Sequence, residues 1–318
     1  MVFFVCKILN EKNGGIKMEF CSFVTMVKEE MKKRLGAEYD VKVSEVMKNN
    51  GVLLTGLTII QPQVNISPII YLDDYYEAYR TEKMEIEDIM RDIAETYTRN
   101  CISRTVDMQF FTNYEQVREH IIFKLVNYER NKELLQDVPY MPFQDLAIVF
   151  QCLIANEKYG STSILIHHAH LKLWNVTTEE LYQQAMENMP RLYPYELRSV
   201  KDVVLEMLGN RGEDIKQMEE NLDEVPLFVL TNVNRIHGAS SLLYQNIVRD
   251  FALAADRNVF ILPSSVHEVL LMVETGEESI DFLKQMVHDV NETEVEAEEF
   301  LSEHIYYYNR NTNQIVMY

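Results

Sequence analysis

The sequence predicts a mixed α+β protein made of two units, and three observations carry that expectation. Apolar residues at Phe23, Val27, Met31 and Leu35 recur at helical spacing, and two strand-like runs flank Asn49-Asn50-Gly51, a strong hairpin signal. Pro139 and Pro142 interrupt the pattern near Asp137. From Leu227 to Val273, a strand-like run, a polar loop, an amphipathic helix and two more strand-like runs follow one another. A helix between two strand-like runs has the length that a crossover between parallel strands needs. The expected organisation is an N-terminal helix plus small antiparallel sheet over 18–137. A C-terminal mixed sheet with a strand–helix–strand unit and hairpins is expected over 138–318.

Composition bounds the function. With 318 residues, 47% of them hydrophobic, the chain has ample material for a core. A formal net charge of −20 repels phosphate backbones, and Lys and Arg form no block, so general nucleic-acid binding is not expected. The four cysteines, Cys6, Cys21, Cys101 and Cys152, lie far apart with no C-x-x-C pair. They read as free thiols in a reducing cytoplasm. Met1–Cys6 is too short to span a bilayer, and no membrane association is expected. Asn13-Gly14-Gly15 just ahead of Met18 resembles a translated ribosome-binding site, so residues 1–17 are expected to be an over-called start.

The elements follow in order. Phe20–Leu35 is a predicted helix stopped by Gly36. Tyr39–Met47 and Val52–Ile60 are predicted strands, and Pro68–Leu72 a third. Asp73 is the expected N-cap of a tyrosine-rich helix, and Met84–Arg99 is a second long one. Tyr71, Tyr75, Tyr76 and Tyr79 read as an amphipathic aromatic surface for the other unit or a partner. Asn113–His120 looks helical, and Ile121–Val126 suits either a helix or a strand. Leu146–Leu153 and Ser163–Ile166 read as strands. Thr177-Thr178-Glu179-Glu180 is a capping box, opening a helix that Pro190 should end near Met189. Val200–Leu208 is helical, followed by an acidic loop to Glu224.

In the central stretch, Leu227–Leu230 and Val259–Leu262 are expected to be parallel neighbours joined by a helix over Ala239–Arg257. Val266–Val273 should run antiparallel to the latter strand. Helices over Ile280–Val290 and Val295–Leu301 and a hairpin of His304–Tyr308 with Gln314–Tyr318 complete the chain.

The segments DVPYMPFQDLAIVFQCL, TTEELYQQAMENMPRLYP, LTNVNRIHGASSLLY and ILPSSVHEVLLM, in this order, resemble an uncharacterised bacterial family. It is known as domain of unknown function 5688 and is found mainly in anaerobic gut bacteria. MVKEEMKKRLGAEYDVKVSEVMKNNGVLLTGLTI and ISPIIYLDDYYEAYR fit the same family, so the resemblance spans nearly everything from Met18 onward. It implies a bacterial protein and no particular activity.

Three places carry candidate chemistry. The loop with Asn232, Asn234, Arg235 and His237 follows a strand and opens a helix at Ser240, where free backbone N–H groups favour anions. It lacks G-x-G-x-x-G and G-K-[ST], so no nucleotide cofactor is indicated. A capped turn explains the same residues. Ser264, Ser265 and His267 lie close enough in sequence to suggest a hydrolase, although a triad is defined by geometry and not by adjacency. A half-buried histidine pinning the turn to the Thr231–Gly238 loop is the structural alternative. His167, His168 and His170 form the densest histidine cluster, His168 and His170 sharing a face if the segment is a strand. With no partner ligand at metal spacing, no metal and no cofactor is expected.

Two functions remain open. One is a non-enzymatic interaction or accessory protein whose acidic surface and tyrosines meet a protein partner. The other is a small-molecule or anion binder, or a hydrolase, using the loop around His237 with Ser264 and His267.

Overall fold

A computed structural model describes residues 18–62, 64, 67–101, 109–157, 160–208 and 227–318. The expected over-called start and the acidic loop ahead of Leu227 lie outside the described residues. The chain forms two compact units, each described separately. The first holds the described residues up to Cys101 except Asn49–Gly51, and the second holds Asn49–Gly51 with Gln109–Tyr318.

The first unit opens with α1 (Phe20–Leu35), whose Phe23, Val27 and Met31 are fully buried at four-residue spacing. A three-stranded antiparallel sheet follows: β1 (Asp40–Met47), β2 (Leu53–Ile60) and β3 (Ile69–Tyr71). Val41, Leu57, Ile59 and Ile70 face the helix, as the two-residue period requires. Asn50 (φ 60°) and Gly51 (φ 72°) make the left-handed turn that the hairpin signal implied. After α2 (Asp73–Arg80), α3 (Ile86–Asn100) closes the core with Ile89, Met90, Ile93 and Tyr97.

Two expectations fail here. The α2 N-cap is Leu72, and Asp73 instead accepts the Thr55 N–H at 2.7 Å, tying the helix start to β2. The tyrosines are not a free surface. Tyr76 and Tyr79 pack on Phe23 at 5.4 and 5.8 Å, and Tyr75 packs against the same core and donates to Asp92. Burial and that carboxylate push the Tyr75 phenol up to about 12. The cysteines also differ from the expectation. Cys101 and Cys152 are free, whereas Cys21 is disulfide-bonded.

In the second unit, α4 (Gln109–Thr112) and α5 (Tyr114–Val117) lead into β4 (Ile121–Asn127). β4 pairs along its length with β6 (Leu146–Glu157), whose other edge takes β5 (Tyr140–Phe143) and then β7 (Gly160–Leu165). Pairing between β4 and β6 spans Asp137, so the units part at Gln109. α6 (His168–Trp174) and α7 (Thr178–Leu192) follow, α7 opened by the Thr177–Glu180 capping box. Pro190 sits inside the last turn of α7 instead of ending it. Next come β8 (Tyr195–Ser199), α8 (Val200–Leu208) and β9 (Leu227–Asn232). The remaining elements are α9 (Ile247–Ala255), β10 (Val259–Ser265), β11 (Glu268–Val273), α10 (Ile280–Thr293), β12 (Tyr306–Asn309) and β13 (Gln314–Met317).

The second sheet of this unit has the order β13-β12-β10-β11-β9-β8, and every pairing in it is antiparallel. β9 and β10 therefore share a sheet and a direction, but β11 lies between them and they are not neighbours. The reason the sequence suggested otherwise is burial on both faces. Val259 and Ile261 enter the core shared with the β4–β6 sheet, while Phe260 and Leu262 meet Leu283 and Val287 of α10. A strand covered on both sides reads as a continuous apolar run, the pattern usual for parallel strands.

The helix expected over Ala239–Arg257 is broken. A 3₁₀ stretch, Gly238–Leu243, ends at extended Tyr244, and α9 starts only after left-handed Asn246. The Tyr244 hydroxyl, buried, donates to the Tyr193 carbonyl at 2.8 Å, which fixes the break. No helix forms over Val295–Leu301; turns there let the Glu299 carbonyl accept the Val266 N–H at 2.8 Å.

Candidate functional site

The sequence places its best candidate where β9 ends, and the structure builds a tight junction there. Asn232 is buried and folds the loop back on itself. Its Oδ1 accepts the Asn234 N–H at 3.0 Å, and its Nδ2 donates to the Ile236 carbonyl at 2.8 Å. Arg235 (φ 54°) and His237 (φ 51°) take left-handed conformations that few non-glycine residues adopt. Gly238 then passes so close to the Thr231 hydroxyl and the His267 carbonyl that a Cβ would collide with both. Those two groups also bond each other, Thr231 Oγ1 donating to the His267 oxygen at 2.7 Å.

His267 lies in the β10–β11 turn and not on the strand, so it does not share a buried face with Val269 and Leu271. Its partners decide its chemistry. The backbone N–H of His237 donates to His267 Nδ1 at 3.3 Å, and Nε2 lies 3.3 Å from Glu299 Oε1. An Nδ1 that accepts a hydrogen bond carries no proton, so the neutral ring carries it on Nε2, the nitrogen that faces the Glu299 carboxylate. The two imidazoles of His237 and His267 stack at 5.8 Å with 10° between their planes.

The serines do not complete a triad. Ser265 Oγ accepts the His267 backbone N–H at 3.0 Å, and Ser241 Oγ donates to the Thr231 carbonyl at 3.0 Å. Ser240 is fully buried, and its hydroxyl has no hydrogen-bond partner among the described residues. Ser264 is half-buried on β10. Both nitrogens of His267 are occupied, so neither activates a serine. Of the donors expected near His237, Gly238 and Ser240, two are taken: the His237 N–H meets His267 and the Ser240 N–H meets the His237 carbonyl, while the Ala239 N–H beside them meets the Val266 carbonyl. Asn234 and Arg235 are exposed beside this closed junction.

Glu299 is the member that sequence inspection missed. It lies 32 positions beyond His267, in the run Glu296–Phe300, where nothing sets it apart from the other acids.

Next to the junction is a small cavity of about 50 Å³, lined by Gln151, Ser163, Met189, Tyr193 and His237 among others. That admits a few waters, each needing about 10–15 Å³. It is far below the roughly 300–1,000 Å³ of ordinary ligand pockets.

The second histidine cluster is helical, which corrects the strand geometry expected for His168 and His170. His167 caps α6; its Nδ1 lies 2.8 Å from Asp137 Oδ2, and its backbone N–H donates to His170 Nδ1 at 3.0 Å. His170 also packs on Phe111 and Trp174, and Trp174 Nε1 donates to the Phe111 carbonyl at 2.8 Å. Burial, then the neighbouring His167, lowers the His170 pKa below its ordinary value. Among the described residues, no group of three or more His, Cys, Asp or Glu side chains is placed to hold a metal ion. Burial pushes the Cys152 thiol up to about 12, which makes it a poor nucleophile. No described helix is long and apolar enough to cross a membrane.

The chain matches the family of unknown function DUF5688 over residues 20–310 and belongs to it. No curated protein and no solved structure matches the chain.

Proposed function

We propose that this member of the family is a non-enzymatic accessory protein of the bacterial cytoplasm that acts by contact with another protein. The observation that carries this reading is the occupancy of the His267 ring. The histidine best placed for catalysis has one nitrogen on a backbone N–H and the other on Glu299. A general base needs a nitrogen available to the proton it removes. The internally bonded loop donors and the small cavity weigh in the same direction against an anion or metabolite site. A net charge of −20 favours a basic protein partner over nucleic acid.

Native mass measurement on the protein purified from its own cells tests this. The expected result is a stoichiometric complex with a second polypeptide. A bare chain carrying a bound small molecule would overturn it. The compartment has its own test, because a disulfide at Cys21 weighs against a reducing cytoplasm. Fractionation of the source cells should place the protein in the cytosolic fraction; recovery outside it would end the cytoplasmic assignment.

A further inference from the structure

The helix α10 buries Leu283 and Val287 against Phe260, Leu262 and Met272, with Ile280 and Met286 packed at the margin of the same cluster. Phe282, Met286 and Val290 recur every four residues and so form one row along the flank of the helix. Phe282 is 68% exposed and Val290 37%, with Met286 partly buried between them. Single exposed apolar residues are ordinary, whereas these three share one flank of the helix over about 12 Å. Beside it runs Asp281, Gln285 and Asp289, and the whole segment from Gly276 to Glu296 carries seven carboxylates against one lysine.

From this pairing of an apolar row with an acidic rim, we propose that α10 is the docking surface for a basic amphipathic helix of a partner protein. The inference rests on the accessory-protein reading and names the partner's chemistry. Apolar side chains of the incoming helix, three and four residues apart, cover Phe282, Val290 and the exposed edge of Met286. Its Lys and Arg residues meet Asp281, Asp289 and the neighbouring carboxylates. Charge selects the occupant. A second copy of this chain would set one acidic rim against another, and nucleic acids and anionic lipid surfaces are repelled for the same reason. A helix with basic flanks gains on both counts.

The test is a calorimetric titration of the full chain with a designed 18-residue helical peptide, leucine on one face and lysine on the other. Its counterpart with glutamate in place of lysine is the control. Binding of the lysine peptide is expected, weakening steeply as salt is raised, with none for the glutamate peptide. Phe282→Ser, which leaves the charge unchanged, should weaken binding about tenfold, as should Val290→Ser, and Tyr195→Ser on an exposed site elsewhere should not. Phe282 is mostly exposed, so the urea midpoint of its variant should match wild type. Absence of binding, or binding that ignores Phe282→Ser, would overturn the α10 assignment. The accessory-protein reading fails separately, through the native mass of the endogenous protein: a second polypeptide there without peptide binding at α10 refutes only the docking surface.

Discussion

The two histidine clusters of the second unit contain the same parts and use them differently. Each has an imidazole beside a carboxylate and an imidazole nitrogen that accepts a backbone N–H. At the β10–β11 turn one ring makes both contacts, so His267 joins the loop after β9, its own hairpin and the segment carrying Glu299. At the start of α6 the work is divided: His167 meets Asp137, and His170 accepts from His167. The first arrangement locks three distant segments together. The second shapes one helix terminus. A carboxylate beside a histidine therefore says little about catalysis until the other nitrogen is accounted for.

If the β10–β11 junction is a packed lock, its weakest tolerance is for added volume. Gly238→Ala puts a Cβ against the Thr231 hydroxyl and the His267 carbonyl, and should cost about 3 kcal/mol, at the upper end for overpacking. A urea midpoint equal to wild type would mean that the loop has room to move. His267→Ala should cost about 2 kcal/mol by leaving the His237 N–H unmet. His267→Gln, which keeps an acceptor, should cost about half as much, and equal losses for the two would show that the hydrogen bond is not what the ring contributes. Ser240→Ala should go the other way. Its buried hydroxyl has no partner among the described residues, so removing it should stabilise the fold by about 1 kcal/mol. Destabilisation on that scale would reveal a bonded hydroxyl, and with it a polar site inside the lock.

Local physics was readable from the chain, and pairings across distance were not. α1 runs over the predicted residues, Phe20–Leu35, because its four-residue apolar period and Gly36 are local signals. The Asn50-Gly51 turn and the Thr177 capping box were legible for the same reason. The insertion of β11 between β9 and β10 left no local trace, since antiparallel and parallel partners bury the same Val, Ile and Leu. The break at Tyr244 depends on the carbonyl of Tyr193, 51 positions away. At the junction, the bond from the Thr231–Gly238 loop to His267 was anticipated from the need of a half-buried imidazole for partners, whereas Glu299 had no such signal. The tyrosines of α2 misled because an amphipathic aromatic pattern looks the same facing a core as facing a partner.

The α6 cluster offers the smallest expected effect and the cleanest contrast. His170 is held neutral by burial and by the nearby His167, with Asp137 opposing them, so its folded pKa lies below the ordinary 6.5. The unfolded chain then binds more protons near neutrality than the folded one, and stability rises with pH in that range. The contribution is fully present above pH 6.5 and is lost as pH falls through the lowered folded value. Protonation would also place a hydrogen on Nδ1, where the His167 N–H now donates. His170→Gln should accordingly lose less stability than wild type between pH 7.5 and 5.5, measured as the shift in urea midpoint. That window stays above the ordinary range of carboxylates, so their titration does not enter the comparison. Equal shifts in the two proteins would mean that His170 titrates alike in both states, and the difference drawn between the clusters would then rest on the β10–β11 junction alone.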